Sequence, residues 1–151
     1  MLVEKNQNVF EEKIIPISED YLYNFLSYRL YWGIMCTFWN REFLNNLGGF
    51  NVNYKRLNDP EIHIRGMLMS SNYKVFNAAK PDSKYIMAET KDYQLLANKY
   101  VETLNYFIPD IIALLEKHKK IQYKYFLKSY LTVWLHHFSK FATTSERKII
   151  L

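Results

Sequence analysis

Three charged side chains near the middle of the 151-residue chain have types and a spacing suited to acid–base chemistry. Asp59 is followed by Pro60 and Glu61, and Arg65 lies four residues beyond Glu61. An aspartate before a proline is a common helix start, so both acids are expected in a first helical turn. A carboxylate held there can act as a general base, and an arginine one turn later can orient carboxylates or a diphosphate bidentately. The structural alternative is that Asp59 is an ordinary N-cap.

Local signals predict the elements that position these side chains. Asn40 is expected to cap a short helix, Arg41–Leu47, which ends at Gly48 and Gly49 because glycine adopts positive φ without steric conflict. A polar loop follows the two glycines. We predict that a second helix then runs from Asp59, as its N-cap, to about Ser70.

The N-terminal part predicts one helix and one strand. Residues 1–17 read as an irregular lead-in. The sequence Ser18-Glu19-Asp20 supplies an N-cap and an acidic first turn for a helix that begins at Tyr21. The run Leu30–Phe38 is rich in aromatic and β-branched residues, which favours a strand.

The C-terminal part predicts two short strands and then helices. Tyr73–Phe76 and Lys84–Met87 read as strands about a turn at Pro81-Asp82-Ser83. After residue 90 a helical face begins at Tyr93, and Pro109 is expected to break or kink this helix.

A last helix is predicted at about Ile121–Phe141, with aromatic residues near one face. Three lysines at four-residue spacing predict a charged stripe on its other face: Lys120, Lys124 and Lys128.

Composition limits the class of protein. The formal net charge of +5 permits attraction to phosphates or anionic lipid, but the sequence has no cluster typical of nucleic-acid binding. Cys36 is the only cysteine, so an intramolecular disulfide is excluded and a reducing compartment is favoured. No apolar run reaches the length of a membrane span.

The run from Phe38 to Arg65 resembles the acceptor-side half of a family-two glycosyltransferase with the GT-A fold. In that family a Gly-Gly-Phe-Asp turn, a loop, and a Glu-Asp-x-Glu motif followed by arginine deliver the catalytic carboxylate to the cleft. Gly48-Gly49-Phe50, Asp59-Pro60-Glu61 and Arg65 stand in the same order. The resemblance extends over roughly residues 19–85.

This resemblance implies that Asp59 is the general base of an inverting transfer from a nucleotide sugar to a saccharide or lipid-linked acceptor, in cell-surface polysaccharide synthesis. It implies a helix-rich α+β fold, in which residues 1–90 form part of a GT-A-like α/β body with short mixed strands. Residues 91–151 would form an amphipathic helical tail. The substrate-binding residues that it implies are Trp39, Gly48, Gly49, Glu61 and Arg65.

The chain departs from the family pattern in ways that bear on activity. Asn51 and Asn58 stand where the family has acids, and no Asp-x-Asp motif, the family's main ligand for metal and diphosphate, is present. We therefore expect no cofactor or metal site in this chain, and Mn²⁺ or Mg²⁺ with a nucleotide sugar in the complete enzyme. The expected partner is a nucleotide-sugar-binding half or a missing N-terminal region, without which the chain is inactive.

The histidines do not predict a further catalytic or metal site. His63 is expected on the face of its helix opposite Asp59, as a structural or surface residue, and no Ser/His/Asp or Cys/His/Asp order stands out. His118, His136 and His137 lack the companion acids and spacing of a zinc site.

A non-enzymatic helical interaction or membrane-surface module is the alternative function. Its aromatic and lysine-rich segment, residues 117–141, suits anionic headgroups. Under either function we expect a cytoplasmic protein. Peripheral contact with the inner face of the membrane is compatible with both functions, and neither function involves nucleic acid.

Overall fold

A computed structural model describes residues 2–5, 8–12, 14–17, 20–76, 83–86 and 92–142. The described chain is helix-rich. Its α-helices are α1 (Tyr21–Leu26), α2 (Arg41–Leu47), α3 (Asn58–Met69), α4 (Tyr93–Lys117) and α5 (Lys128–His137). Its 3₁₀ helices are Ile34–Cys36, Ile121–Leu127 and Ser139–Phe141, and its strands are β1 (Leu2–Lys5), β2 (Asn8–Glu12) and β3 (Lys84–Ile86).

The strands form a small sheet in the order β2-β1-β3, with β1 antiparallel to β2 and parallel to β3. The prediction of an irregular lead-in over residues 1–17 is therefore wrong for the two N-terminal strands. Asn6-Gln7, which separates them in the sequence, lacks the glycine that marks a two-residue hairpin turn. Strand β3 confirms most of the predicted strand at Lys84–Met87, while Met87 and the predicted turn residues 81 and 82 lie outside the described residues.

Two predicted strands do not form. Tyr73–Phe76 has no strand pairing. In Leu30–Phe38 the chain turns through a 3₁₀ helix, where the Cys36 N–H donates to the Gly33 carbonyl at 2.9 Å. The N–H of Ile34 donates to a side chain of α3, at 3.0 Å, and not to a neighbouring strand. Composition favoured a strand here, but these tertiary contacts determine the backbone.

The cap of α2 agrees with the sequence prediction, while at α1 Asp20 is the N-cap and the predicted acidic first turn contains no acid. The Asp20 carboxylate accepts from the Tyr23 N–H at 2.7 Å, and the Asn40 side chain accepts from the Phe43 N–H at 2.9 Å. Residues 18 and 19 of the predicted capping run lie outside the described residues. Gly48 and Gly49 end α2 with φ of +85° and +67°, as predicted.

The start of α3 differs from the prediction in which residue takes the N-cap position. The helix begins at Asn58, with Leu57 at the N-cap position and φ of +61°, so Asp59 lies inside the first turn and is not the N-cap. Positive φ is unfavourable for leucine. Leu57 is 8% exposed and belongs to the hydrophobic core, and this burial offsets the strain.

Helix α4 runs through Pro109 without a break. Proline removes the hydrogen bond to the carbonyl four residues earlier, that of Asn105. Both residues are on the exposed side of the helix, so water can solvate that carbonyl. The predicted last helix is instead a 3₁₀ helix, an α-helix and a second 3₁₀ helix in succession.

One cluster of buried side chains draws on helices from both sides of residue 90. Tyr130 of α5 donates to the Phe25 carbonyl at the end of α1 at 2.7 Å, and Trp134 donates to the Ala97 carbonyl in α4 at 3.2 Å. The Tyr130 bond ties the C-terminal helices to the N-terminal body, and the Trp134 bond joins α5 to α4. The boundary at residue 90 stays a prediction.

Substitutions at Gly48 test the left-handed backbone conformation that ends α2. A Cβ at position 48 would meet no atom within 4 Å, so the positive φ is the main obstacle to a side chain there. We expect Gly48→Ala to lower the free energy of unfolding by about 1–2 kcal/mol, and Gly48→Asn to lower it less, because asparagine visits this conformation more readily. Urea unfolding measures both changes. An alanine variant as stable as the wild type would contradict the left-handed end of α2.

Candidate functional site

The two predicted acids of helix α3 lie on different sides of the helix. Asp59 and Glu61 are two residues apart, which corresponds to about 200° around an α-helix. Glu61 lines a groove of about 500 Å³ together with four other described residues that matter here: Gly48, Gly49, Arg65 and Lys117. Trp39 lines a second cavity of about 600 Å³, together with His63 of α3. The residues predicted to share one cleft are therefore divided between two.

Arg65 joins α3 to the end of α2. Its Nε donates to Glu61 Oε1 at 2.6 Å and its Nη2 to Oε2 at 2.8 Å, which makes a bidentate pair. Nη1 donates to the Leu47 carbonyl, and Nη2 also donates to the Gly49 carbonyl at 2.8 Å. Glu61 is 4% exposed, so the pair is formed away from bulk water. The guanidinium is thus engaged within the chain and stabilises the α2–α3 junction.

The opposite wall of this groove comes from α4. The Tyr54 hydroxyl donates to Asp110 Oδ2 at 2.6 Å. Burial, together with this hydrogen bond and the charge of Asp110, raises the pKa of Tyr54 far above its usual value, so the hydroxyl stays protonated. Glu61 is paired with Arg65, and Asp110 accepts from the Tyr54 hydroxyl. Both carboxylates that line this groove therefore already have hydrogen-bond partners within the chain.

One oxygen of the Asp59 carboxylate accepts a hydrogen bond, and the other is buried beside the His63 imidazole without a hydrogen bond of its own. Oδ2 accepts from the Ile34 N–H at 3.0 Å, and Oδ1 lies 3.0 Å from His63 Nδ1. The side chain is 35% exposed. A Cβ at Gly33 would lie 3.4 Å from Oδ2, so a residue without a side chain leaves room for this approach. Asp59 therefore holds the segment before α2 against the first turn of α3.

His63 lies on the same face of α3 as Asp59, and the expectation of opposite faces was wrong. Residues four apart on an α-helix are neighbours. His63 Nδ1 lies 2.7 Å from the Asp59 carbonyl oxygen, and Nε2 lies 2.8 Å from Thr37 Oγ1. A carbonyl can only accept, so in the neutral ring Nδ1 bears the proton and Nε2 accepts from the Thr37 hydroxyl.

Thr37, His63 and Asp59 thus form a hydroxyl–imidazole–carboxylate arrangement. The sequence contained one signal for it, the four-residue spacing of Asp59 and His63 on a helix. It contained no signal for Thr37, which reaches the imidazole from a segment that the sequence predicted to be a strand.

Aromatic side chains surround this arrangement. The imidazole centroid of His63 lies 5.1 Å from that of Phe25, 6.0 Å from that of Trp32 and 5.5 Å from that of Trp39. The Trp39 ring also packs on Gly66 of α3, where a Cβ would lie 3.2 Å from it. The 600 Å³ cavity is lined by several of these rings and by Thr37 and Cys36. The walls also include polar side chains such as Asn40, Ser70 and Asn72, and a cavity that combines aromatic and polar walls can bind a small molecule.

The described residues include no group of three or more His, Cys, Asp and Glu side chains that could hold a metal ion. Asp59 and Glu61 already bind other groups, so these acids do not fit the divalent ion that the resemblance implies for a complete enzyme. Within the same part of the chain, no helix is long and apolar enough to cross a membrane. No protein-family model, curated protein or solved structure matches the chain.

The Arg65 junction can be tested against a solvent-exposed ion pair. Arg65→Lys keeps the charge but loses the planar fork, so we expect the free energy of unfolding to fall by about 2 kcal/mol. Lys55→Met is the control, because Lys55 and Glu102 pair at 2.7 Å while 55% and 46% exposed. This control should lose less than about 1 kcal/mol. Equal losses in denaturant titrations would contradict a special role for Arg65.

Proposed function

We propose that the chain is the acceptor-side part of an inverting glycosyltransferase, which receives a saccharide or lipid-linked acceptor in cell-surface polysaccharide synthesis. The observation that carries the proposal is the α2–α3 junction. The Gly48-Gly49 turn and the helix that contains Asp59 to Arg65 stand in the order of the family resemblance, and the Arg65 bonds hold them as one unit.

In this proposal the acceptor binds in the aromatic cavity beside α3. Trp39 and Trp32 provide flat apolar faces on which a sugar ring can rest, and Asp59 is the base for the acceptor hydroxyl. The carboxylate is partly exposed, so it can exchange its bond to the Ile34 N–H for one to the acceptor. A separate donor-binding half supplies the nucleotide sugar with its Mn²⁺ or Mg²⁺.

The other predicted substrate-binding residues take a different role in this proposal. Gly48, Gly49, Glu61 and Arg65 line the second groove and act on the acceptor only through the placement of α3. That groove is a surface to which the donor-binding half could attach, since it lies at the same junction.

Asp59→Asn tests this function in a preparation that also contains a donor-binding half. Loss of the base should lower sugar transfer by about 100-fold or more, while nucleotide-sugar binding stays unchanged. Glu102→Gln, at an exposed acid that lines neither the cavity nor the groove, is the matched control and should retain transfer. Radiolabelled sugar incorporation and equilibrium dialysis provide the two readouts. Wild-type turnover in the Asp59 variant would show that Asp59 is not the base.

A second candidate function is a non-enzymatic helical interaction or membrane-surface module. It is favoured because the acids of the candidate site already bind partners within the chain, and because of the surface of residues 117–141. There Tyr125 is 68% exposed, and the ammonium of Lys124 lies 5.3 Å from its ring centroid. The predicted lysine stripe assumed an α-helix. Because Ile121–Leu127 is a 3₁₀ helix with three residues per turn, a four-residue step rotates by about 120° and spreads these lysines.

Charge reversal tests this second candidate. If the segment contacts anionic membrane at the inner face of a cytoplasmic membrane, the triple variant Lys120→Glu, Lys124→Glu and Lys128→Glu should lose co-sedimentation with phosphatidylserine vesicles, by about 1 kcal/mol per lysine. Lys55→Glu, elsewhere on the surface, is the single-charge control. Binding that survives the triple change would contradict an electrostatic membrane contact.

A further inference from the structure

The Thr37 hydroxyl has a base on one side and the aromatic cavity on the other. Thr37 Oγ1 lies 2.8 Å from His63 Nε2, is only partly buried and lines the cavity. From this geometry we propose that Thr37 is a nucleophile that accepts acyl groups from apolar or aromatic esters. The reaction is an ester-cleaving activity distinct from sugar transfer.

The hydrogen bonds around His63 set up this role. Nδ1 donates to the Asp59 carbonyl oxygen at 2.7 Å, which leaves the Nε2 lone pair directed at Thr37. Asp59 Oδ1, 3.0 Å from Nδ1, stabilises the positive charge that the ring acquires when it takes a proton. A nucleophile, a base and a group that orients the base are the three parts that activated hydroxyl nucleophiles require.

Burial makes His63 a base for Thr37 and not a direct ligand for substrate. The imidazole is 4% exposed and enclosed by the rings of Phe25, Trp32 and Trp39. His63 also lines the cavity, but its small exposed surface leaves the half-buried Thr37 hydroxyl as the more accessible of the two groups. A substrate carbonyl therefore meets the threonine oxygen first.

The cavity defines the class of substrate. Its volume of about 600 Å³ suits a small molecule, and aromatic and aliphatic side chains together provide more of its described walls than polar ones do. Among the described residues that line it, the Lys74 ammonium is the only formal charge besides what His63 can acquire. An ester with an aromatic or short apolar acyl or alcohol part fits such walls better than a highly charged one.

The chemical step is an acyl transfer with water as the second reactant. Thr37 Oγ1 forms a bond to the ester carbonyl carbon while its proton passes to His63 Nε2. The bond from that carbon to the ester oxygen then breaks, and the departing alcohol or phenol takes the proton from Nε2. Water, deprotonated by the same nitrogen, attacks the acyl-threonine, releases the acid and restores the hydroxyl.

The probes are 4-nitrophenyl acetate and 4-nitrophenyl butyrate, because nitrophenolate is a good leaving group and its release is visible. The wild-type chain, without nucleotide sugar or metal, should release nitrophenolate and show an acetyl group on the peptide that contains Thr37. Thr37→Val keeps the shape of the side chain and should lower release by about 100-fold. Thr37→Ser should restore it, and His63→Gln, which can still hydrogen-bond but is a poor base, should not.

Cys36 requires its own control, because a free thiol in the same cavity can also be acylated. In Cys36→Ala the acetyl group should still be found on Thr37, whatever the change in rate that a smaller side chain in the cavity causes. Circular dichroism and thermal unfolding establish that each variant is folded. Equal release from wild type and a folded Thr37→Val variant, or acetylation confined to Cys36 and lysines, would overturn the proposal. The sugar-transfer function would stand in that case, because its test requires a donor-binding half and does not depend on Thr37.

Discussion

The bidentate pair between Arg65 and Glu61 is the contact on which the candidate site depends most. The same guanidinium binds the carbonyls of Leu47 and Gly49, so it closes the end of α2 onto the middle of α3. A buried charge pair stabilises a fold only when its remaining hydrogen-bonding groups are satisfied, and these backbone carbonyls satisfy them. The orientation of α3 about its own axis follows from this junction.

That orientation gives α3 two separate functions. The side with Glu61 and Arg65 holds the structure together. On the other side, His63 lines the aromatic cavity and contacts Thr37, and Asp59 lies beside His63. Two residues of sequence separate the two acids, yet about half a helical turn separates their directions. Both proposals for the site, the sugar-transfer base and the acyl-accepting threonine, use the second side and depend on the first for its position.

Local signals predicted the helices well and the site only in part. Asp20, Asn40 and the two glycines act on their own neighbours in the chain, so their caps and turns could be recognised without knowledge of the fold. The resemblance implied that the residues of the α2–α3 junction and Trp39 line one cleft, whereas they line two. The direction of each side chain around the helix was the missing information.

Tertiary contact explains two of the errors, whereas the wrong face for His63 was an error of local helix geometry. Leu30–Phe38 has the composition of a strand, but the Asp59 carboxylate binds the Ile34 N–H and the Thr37 hydroxyl binds His63. Neither partner is near in sequence. Leu57 likewise adopts positive φ because its side chain is buried in the core, and no local rule predicts that for leucine.

The hydrogen-bonding state of His63 tests the central claim most directly, since both the base role of the ring and the availability of Thr37 depend on it. Nitrogen-15 NMR of histidine-labelled protein at mildly alkaline pH distinguishes the two neutral tautomers. We predict a proton on Nδ1 and an unprotonated Nε2, and we expect the nitrogen-15 signal of Nε2 to shift in Thr37→Val. A proton on Nε2 would contradict it, because the ring would then donate to Thr37 and could not take its proton.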